Sequence, residues 1–204
     1  MYFLKAVIAA AASLAALSLT TPAIATVVTF DSQATLDPNV LGDGTTYSES
    51  GLTFTSSIVS PLALAQWGTD SSFNADPDGA TLFQNYPNEF LVVTLTGGGS
   101  FTLNAFDLAD VFNSGAAGLI PFSYVDGGGT HNSFLSLDNR VGLQTLRFNL
   151  RGVTSFTLHE RAPFFQIDNV VFNDSGTPEP GAWAMMLVGM GGAGAMIRKR
   201  RQAF

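Results

Sequence analysis

A chain of 204 residues with no cysteine and 17 phenylalanines has the length for one ordinary domain, which it must hold together by burial, without disulfides or thiolate metal sites. Between Thr26 and Thr177 it carries fifteen Asp and Glu against Arg140, Arg147, Arg151 and Arg161 and no Lys, a net charge of about −11. That balance argues against a nucleic-acid partner, whose affinity rests on cations that neutralise phosphates, and suits an exported soluble domain or one that binds cations.

The chain opens with a single Lys5, an apolar stretch from Ala6 to Leu19 interrupted only by Ser13 and Ser18, and then Ala23-Ile24-Ala25. A basic start, an apolar centre and a small-x-small site are the parts of a secretory signal peptide. They predict a signal helix over residues 1–25, cut by signal peptidase after Ala25, with Ala23 and Ala25 as the small residues of the site.

From residue 26 to 172 the pattern is that of short strands. "VVTFD" (27–31), "LTFTSS" (52–57), "EFLVVTLT" (89–96), "SFTLNAFDLADVF" (100–112), "LIPFSYV" (119–125), "HNSFLSLD" (131–138), "LQTLRFNL" (143–150), "VTSFTLHE" (153–160) and "FFQIDNVVF" (164–172) are rich in β-branched and aromatic residues. Gly, Asn, Asp and Pro clusters separate them, as in a sandwich or barrel. The expected fold is all-β, a β-sandwich of jelly-roll type.

The triplets Gly97-Gly98-Gly99 and Gly127-Gly128-Gly129 each lie between strand-like runs with no helix following. They read as hairpin turns rather than phosphate-binding loops. In "SFTLNAFDLADVF" the apolar alternation slips between Ala105 and Phe106, which predicts a bulge or bend. Residues 60–88 show little period and read as loops with one or two short strands; "SPLALAQW" (60–67) is the best candidate for a helical turn.

Few residues offer catalysis. His131 sits beside a turn and His159 near a strand end, and neither belongs to a nucleophile elbow or a zinc-type pair. Asp70, Asp76, Asp78, Glu89 and Asp110 are the carboxylates from which a glycan hydrolase would have to draw a converging pair, but sequence proximity does not establish that spacing, and no residue is assigned a catalytic role. "DPDG" (76–79) has the look of part of a calcium loop without the full ligand series of an EF-hand. Trp67 and Tyr86, with Tyr47 and Tyr124 behind them, are the candidate platforms for stacking on a sugar ring.

Asp168 alternates with Phe164, Val170 and Phe172, so the period of a strand turns it toward the core, where a carboxylate needs a cation, an Arg or N–H donors. "FQIDNVVF" resembles the closing strand of carbohydrate-binding jelly-roll modules. The resemblance implies that Asp168, together with Asp31 of the first strand, ligates a structural Ca²⁺; no other cofactor is expected.

"NDSGT" (173–177) reads as a linker. Seventeen uncharged residues follow from Gly181 to Ile197, about 25 Å as a helix and a minimal transmembrane span. Arg198-Lys199-Arg200-Arg201 then forms a basic stop that stays on the cytoplasmic side. Pro178-Glu179-Pro180 immediately before this run, with the basic cluster close behind it, closely resembles the PEP-CTERM sorting signal of Gram-negative exopolysaccharide producers, a tail also known as the ice-binding protein C-terminal domain.

The resemblance implies an exosortase-like membrane enzyme as partner, with Pro178, Glu179 and Pro180 as recognition residues. The protein would be anchored transiently in the inner membrane and then reach the cell surface or matrix. The expectation is a non-enzymatic matrix or surface protein associated with exopolysaccharide; the alternatives are a carbohydrate-binding or adhesive module and, less favoured, a glycan hydrolase.

Overall fold

The computed structural model describes residues 25–174. The signal segment before residue 25, the linker beyond residue 174 and the sorting segment at 178–201 with its expected transmembrane helix lie outside the described residues. Among the described residues no helix is long and apolar enough to cross a membrane.

In chain order the elements are β1 (Thr26–Val28), a single 3-10 turn (Asp31–Gln33), β2 (Val40–Gly44), β3 (Thr46–Glu49), β4 (Leu52–Ser56), β5 (Leu64–Trp67), β6 (Phe83–Gln84), β7 (Phe90–Leu95), β8 (Phe101–Asp110), β9 (Gly118–Asp126), β10 (Gly129–Leu137), β11 (Gln144–Val153), β12 (Ser155–His159) and β13 (Phe165–Asp174). Where apolar and polar residues alternate, one face is buried: Leu52, Phe54 and Ser56 of β4 point inward and Thr53 and Thr55 outward.

The strands form three sheets, ordered β1-β13-β8-β11, β10-β9-β12-β7-β4-β3 and β2-β5-β6. Taking β1 and then β7 through β13 as the first to eighth strands of the sandwich, one sheet runs first-eighth-third-sixth. The other runs second-seventh-fourth-fifth, and every pairing is antiparallel. That is the jelly-roll order, two Greek keys folded onto each other, as the strand spacing predicts. The β3–β4 hairpin widens the second sheet beyond β7, and the small third sheet comes from the long insertion between β1 and β7.

Phenylalanines cement the two sheets. Phe101 and Phe106 of β8 and Phe172 of β13 are fully buried from one side, Phe54 and Phe156 from the other. Phe106 stacks on Phe156 at 5.6 Å and packs on Phe148 at 4.8 Å, and Phe101 meets Phe172 edge-on at 6.0 Å. Each such burial contributes about 1.5–3 kcal/mol of transfer free energy, which is how a chain without disulfides holds this fold.

Four local readings change. "SPLALAQW" ends in β5, not in a helical turn: Leu64, Ala65 and Gln66 are all buried, and a short strand covered on both faces loses the alternation that would betray it. β2 and β3, weak in β-branched residues, are added by pairing with β5 and β4. Gly97-Gly98-Gly99 has positive φ at all three residues but carries the chain from one sheet to the other, whereas Gly127-Gly128 does form the two-residue turn of the β9–β10 hairpin. Asn173 and Asp174, expected in the linker, complete β13.

Candidate functional site

The bulge expected in β8 is answered across the sheet by an extra residue in β13. Asp168 lies opposite Asp107, and Val171 lies opposite Ala105, so three steps of β13 match two of β8, with Asn169 at φ 47° as the inserted residue. The bulge reverses the faces. Phe165 and Ile167 on one side of it and Val170 and Phe172 on the other all enter the sandwich core.

Asp168, which the period of a strand turns toward that core, therefore points to the outer face. It is nonetheless only 1 % exposed, because the insertion covers it. Leu82 pairs with Ile167 there, and the fully buried Gln166 stitches the cover down: its amide donates to the carbonyls of Phe73 and Asp110, and its Oε1 accepts from Ala75 N–H and the Thr81 hydroxyl.

Under that cover carboxylates gather. Burial pushes Asp168 up to about 8, against the N–H of Asn169 and with further push from the charges of Asp76, Asp31 and Asp107. Asn169 Nδ2 bridges Asp107 and Asp168 at 2.9 and 3.1 Å, and its backbone N–H donates to Asp168 at 2.6 Å; like charges directly opposite on neighbouring strands otherwise destabilise a sheet. All four Arg of the described residues are exposed, and none makes an ion pair among them, where His131–Asp126 is the one pair.

Gly79 lies between Asp31 and Asp76. A Cβ there would stand 2.1 Å from Asp31 Oδ1 and 2.4 Å from Asp76 Oδ2. The 74–79 loop is closed by Asn74, which donates to the Gly79 carbonyl and accepts from Asp76 N–H, and Asp31 is delivered by the 3-10 turn after Phe30, whose φ is 56°. Among the described residues no three acidic or imidazole side chains converge closely enough to chelate an ion by themselves. The donors present are all hard oxygens, fitting a calcium-type ion that completes its shell with carbonyls or water. Asp31 and Asp168 thus fall in one acidic group; Asp107 is visible only through strand pairing, while Asp76 and Gly79 are the two ends of "DPDG".

A second feature lies where the small sheet meets the sandwich. Trp67, Phe83, Phe112 and Phe164 wall a cavity of about 160 Å³, with Gln84, Asn85 and Glu160 among its polar neighbours. Trp67 stacks on Phe83 at 5.6 Å, and its indole N–H donates to the Val111 carbonyl at 2.7 Å. It is part of a packed wall and not a free-standing platform. Tyr86 bonds through its hydroxyl to Ser60 at 2.9 Å, and Tyr47 to Glu49 at 2.6 Å.

Three of the five carboxylates considered for hydrolysis are engaged elsewhere, and two are exposed. Asp110 accepts from the N–H groups of Phe112, Ser114, Gly115 and Ala116 and from the Ser114 hydroxyl, shaping the β8–β9 loop. Glu89 is bonded by Ser57, Asp70 and Asp78 are exposed, and Asp76 belongs to the acidic group. His131 stacks on Tyr124 at 4.6 Å and pairs with Asp126 at 3.0 Å, holding the Asp126 carboxyl below its ordinary value. His159 packs on Phe90 at 5.5 Å.

Fold and sequence together define a jelly-roll domain with a C-terminal address. Residues 177–201 match the PEP-CTERM protein-sorting motif, which marks an exported, surface-directed protein processed by an exosortase-type membrane enzyme. No curated protein matches the chain. Among solved structures, a family 32 carbohydrate-binding module of C. perfringens NanJ in complex with galactose is similar at 12 % identity over 62 % of this chain and 98 % of that one, with a TM-score of 0.38. Discoidin II of Dictyostelium discoideum is similar at 10 % identity over 60 % and 54 % of the two chains, with a TM-score of 0.35. An exo-β-1,3-galactanase of Phanerochaete chrysosporium follows at 13 % identity, 74 % and 30 % coverage and a TM-score of 0.33. The jelly-roll assignment rests on the strand order itself.

Proposed function

We propose that this protein is a non-enzymatic component of the bacterial cell surface or extracellular matrix, associated with exopolysaccharide. It is exported behind a signal peptide and released from a temporary membrane hold by an exosortase-type enzyme acting at Pro178-Glu179-Pro180. The observation that carries this reading is the sorting motif at 177–201, which begins three residues after β13 ends at Asp174. The apolar run 181–197 would hold the chain in the bilayer, the basic residues Arg198 to Arg201 would stop its translocation, and the Pro-rich junction would be the point at which the processing enzyme acts. Outside the cell, where calcium is abundant, Asp31 and Asp168 would hold, with Asp76 beside them and carbonyls or water completing the shell, a Ca²⁺ that supplies the counter-charge this acidic group lacks and pins the insertion to the sandwich.

Mass spectrometry of the protein from its native host tests the sorting. The expected mature form starts at Thr26 and lacks everything beyond the PEP region; an intact C-terminus in surface-located protein refutes it. The aromatic wall at Trp67 favours a second reading, direct glycan binding by the domain. That reading predicts glycan-array binding that weakens at least tenfold in Trp67→Phe.

A further inference from the structure

The arginines are unevenly placed. Of the four between Thr26 and Thr177, three fall between Asp138 and Glu160, a stretch without Asp or Glu, and two of these, Arg147 and Arg151, stand on β11, the edge strand of its sheet. Leu146, Phe148 and Leu150 pack on the core, so the alternation of a strand sends Arg147, Asn149 and Arg151, all exposed, to the outer face. Across that face Arg147 lies opposite Ala105 of β8, and Ala105 opposite Val171 of β13. Phe101, Leu103, Val170 and Phe172 enter the core, which turns Thr102 and Asn104 of β8 and Val171 and Asn173 of β13 outward as well. The insertion is fastened to the other half of this sheet, at Gln166 and Ile167, and these four outward residues keep part of their surface in solvent.

We propose that this open half-face binds an extended acidic polysaccharide, one whose sugars carry carboxylates. The inference deepens the exopolysaccharide association proposed above and rests on it for the class of partner. Each guanidinium offers a planar fork of N–H donors that matches a carboxylate. Neither arginine has an ion pair among the described residues, where the side-chain bond given to them is Arg151 Nε to Asn149 Oδ1 at 3.5 Å. The amides of Asn104, Asn149 and Asn173 each carry donors and an acceptor, as recognition of sugar hydroxyls requires. Four residues apart on one strand, the arginines stand at most about 13 Å apart, so a polymer meets both where a single sugar acid meets one.

The net charge of about −11 opposes a polyanion at long range. At physiological salt that repulsion is screened beyond about 8 Å, which leaves the local charge of the face to decide. Of the carboxylates on β1, β8, β11 and β13, Asp110 and Asp168 are buried, Asp107 is bonded by Asn169, and Asp174 stands exposed at the end of β13. Arg147 and Arg151 therefore set the sign over the middle of the face. A protein partner fits it less well, because the outward residues include no aromatic side chain to anchor such an interface.

Biolayer interferometry on immobilised polygalacturonate, dextran and poly-glutamate tests it, with the full-length chain in detergent and EDTA. EDTA removes calcium bridges, and Arg198→Gln, Lys199→Gln, Arg200→Gln and Arg201→Gln in every sample keep the basic stop from binding the probes. Polygalacturonate should bind, and its affinity should fall as salt rises from about 20 to about 300 mM. Arg147→Ser and Arg151→Ser should each weaken binding about threefold to fivefold and together at least about tenfold. Arg161→Ser, which removes the same charge beyond β12, should leave it unchanged. Equal loss in Arg161→Ser, no loss in the double variant, poly-glutamate bound as tightly, or no binding of polygalacturonate overturns the proposal. A double variant that self-associates and still binds assigns the arginines to guarding the edge strand and overturns it too. Should the double variant fail to fold, the wild-type preference for polygalacturonate over dextran and poly-glutamate decides. Dextran bound equally by every variant overturns this face and leaves polysaccharide association standing, while the mature termini test the sorting separately.

Discussion

Replacing Gly79 with Ala tests the acidic group through geometry alone. The φ of Gly79 is not in the left-handed region, so the backbone accepts alanine, and the entropy lost by the unfolded chain would by itself stabilise the protein by about 0.4–1 kcal/mol. The added methyl would, however, sit 2.1 Å from Asp31 Oδ1 and 2.4 Å from Asp76 Oδ2, closer than real carbon–oxygen contacts allow. Both carboxylates must retreat by about 1 Å, and a calcium shell with bonds of about 2.3–2.6 Å loses them.

At calcium about 100 times its Kd, binding to the folded state alone adds about 2.7 kcal/mol. For a domain of this size that is roughly 5–10 °C in Tm. Thermal unfolding followed by circular dichroism, in EDTA and in calcium, should show this rise in the wild type and at most about 2 °C of it in Gly79→Ala, with both folded in EDTA. A full calcium shift in Gly79→Ala refutes the placement of the ion, and no shift in the wild type refutes the ion itself.

Asp168→Asn removes a buried charge that burial and three neighbouring carboxylates disfavour; in EDTA near pH 8 its Tm should rise by several degrees, and the calcium shift should vanish, both measured in the same melts. Burial pushes Asp43 up to about 6 and leaves its Oδ2 without a partner. Its contribution to stability is therefore present below about pH 4 and lost as pH rises through about 6, so urea denaturation across that window should flatten in Asp43→Asn. Asp110→Ala frees four backbone N–H groups and the Ser114 hydroxyl from a buried anchor, and stability should fall by about 2–4 kcal/mol in denaturant titrations. Trp67 emission should change as well, since Phe112 on that loop lies 6.3 Å from its ring; unchanged emission would detach the loop from the cavity wall.

Local chemistry was enough to read the strands, the two-residue turn at Gly127-Gly128 and the sorting motif, because each is written in consecutive residues: period-2 burial, a glycine pair between strands, a Pro-Glu-Pro junction before an apolar run and a basic stop. Even the slip at Ala105-Phe106 was visible, being a break in one strand's own alternation. Asp168 shows the boundary. Its burial was legible and its direction was not, since the inserted Asn169 exchanges the faces of β13 and the bulge exists only in the pairing with β8. β5 failed for a related reason: covered on both faces, it has no period to read. The acidic group and the cavity required the tertiary structure outright. Asp31, Asp76, Asp107 and Asp168 come from four separate segments, as Trp67, Gln84, Phe112 and Glu160 do, and only the closing of the insertion over the sandwich fixes the short distances on which charge and packing depend.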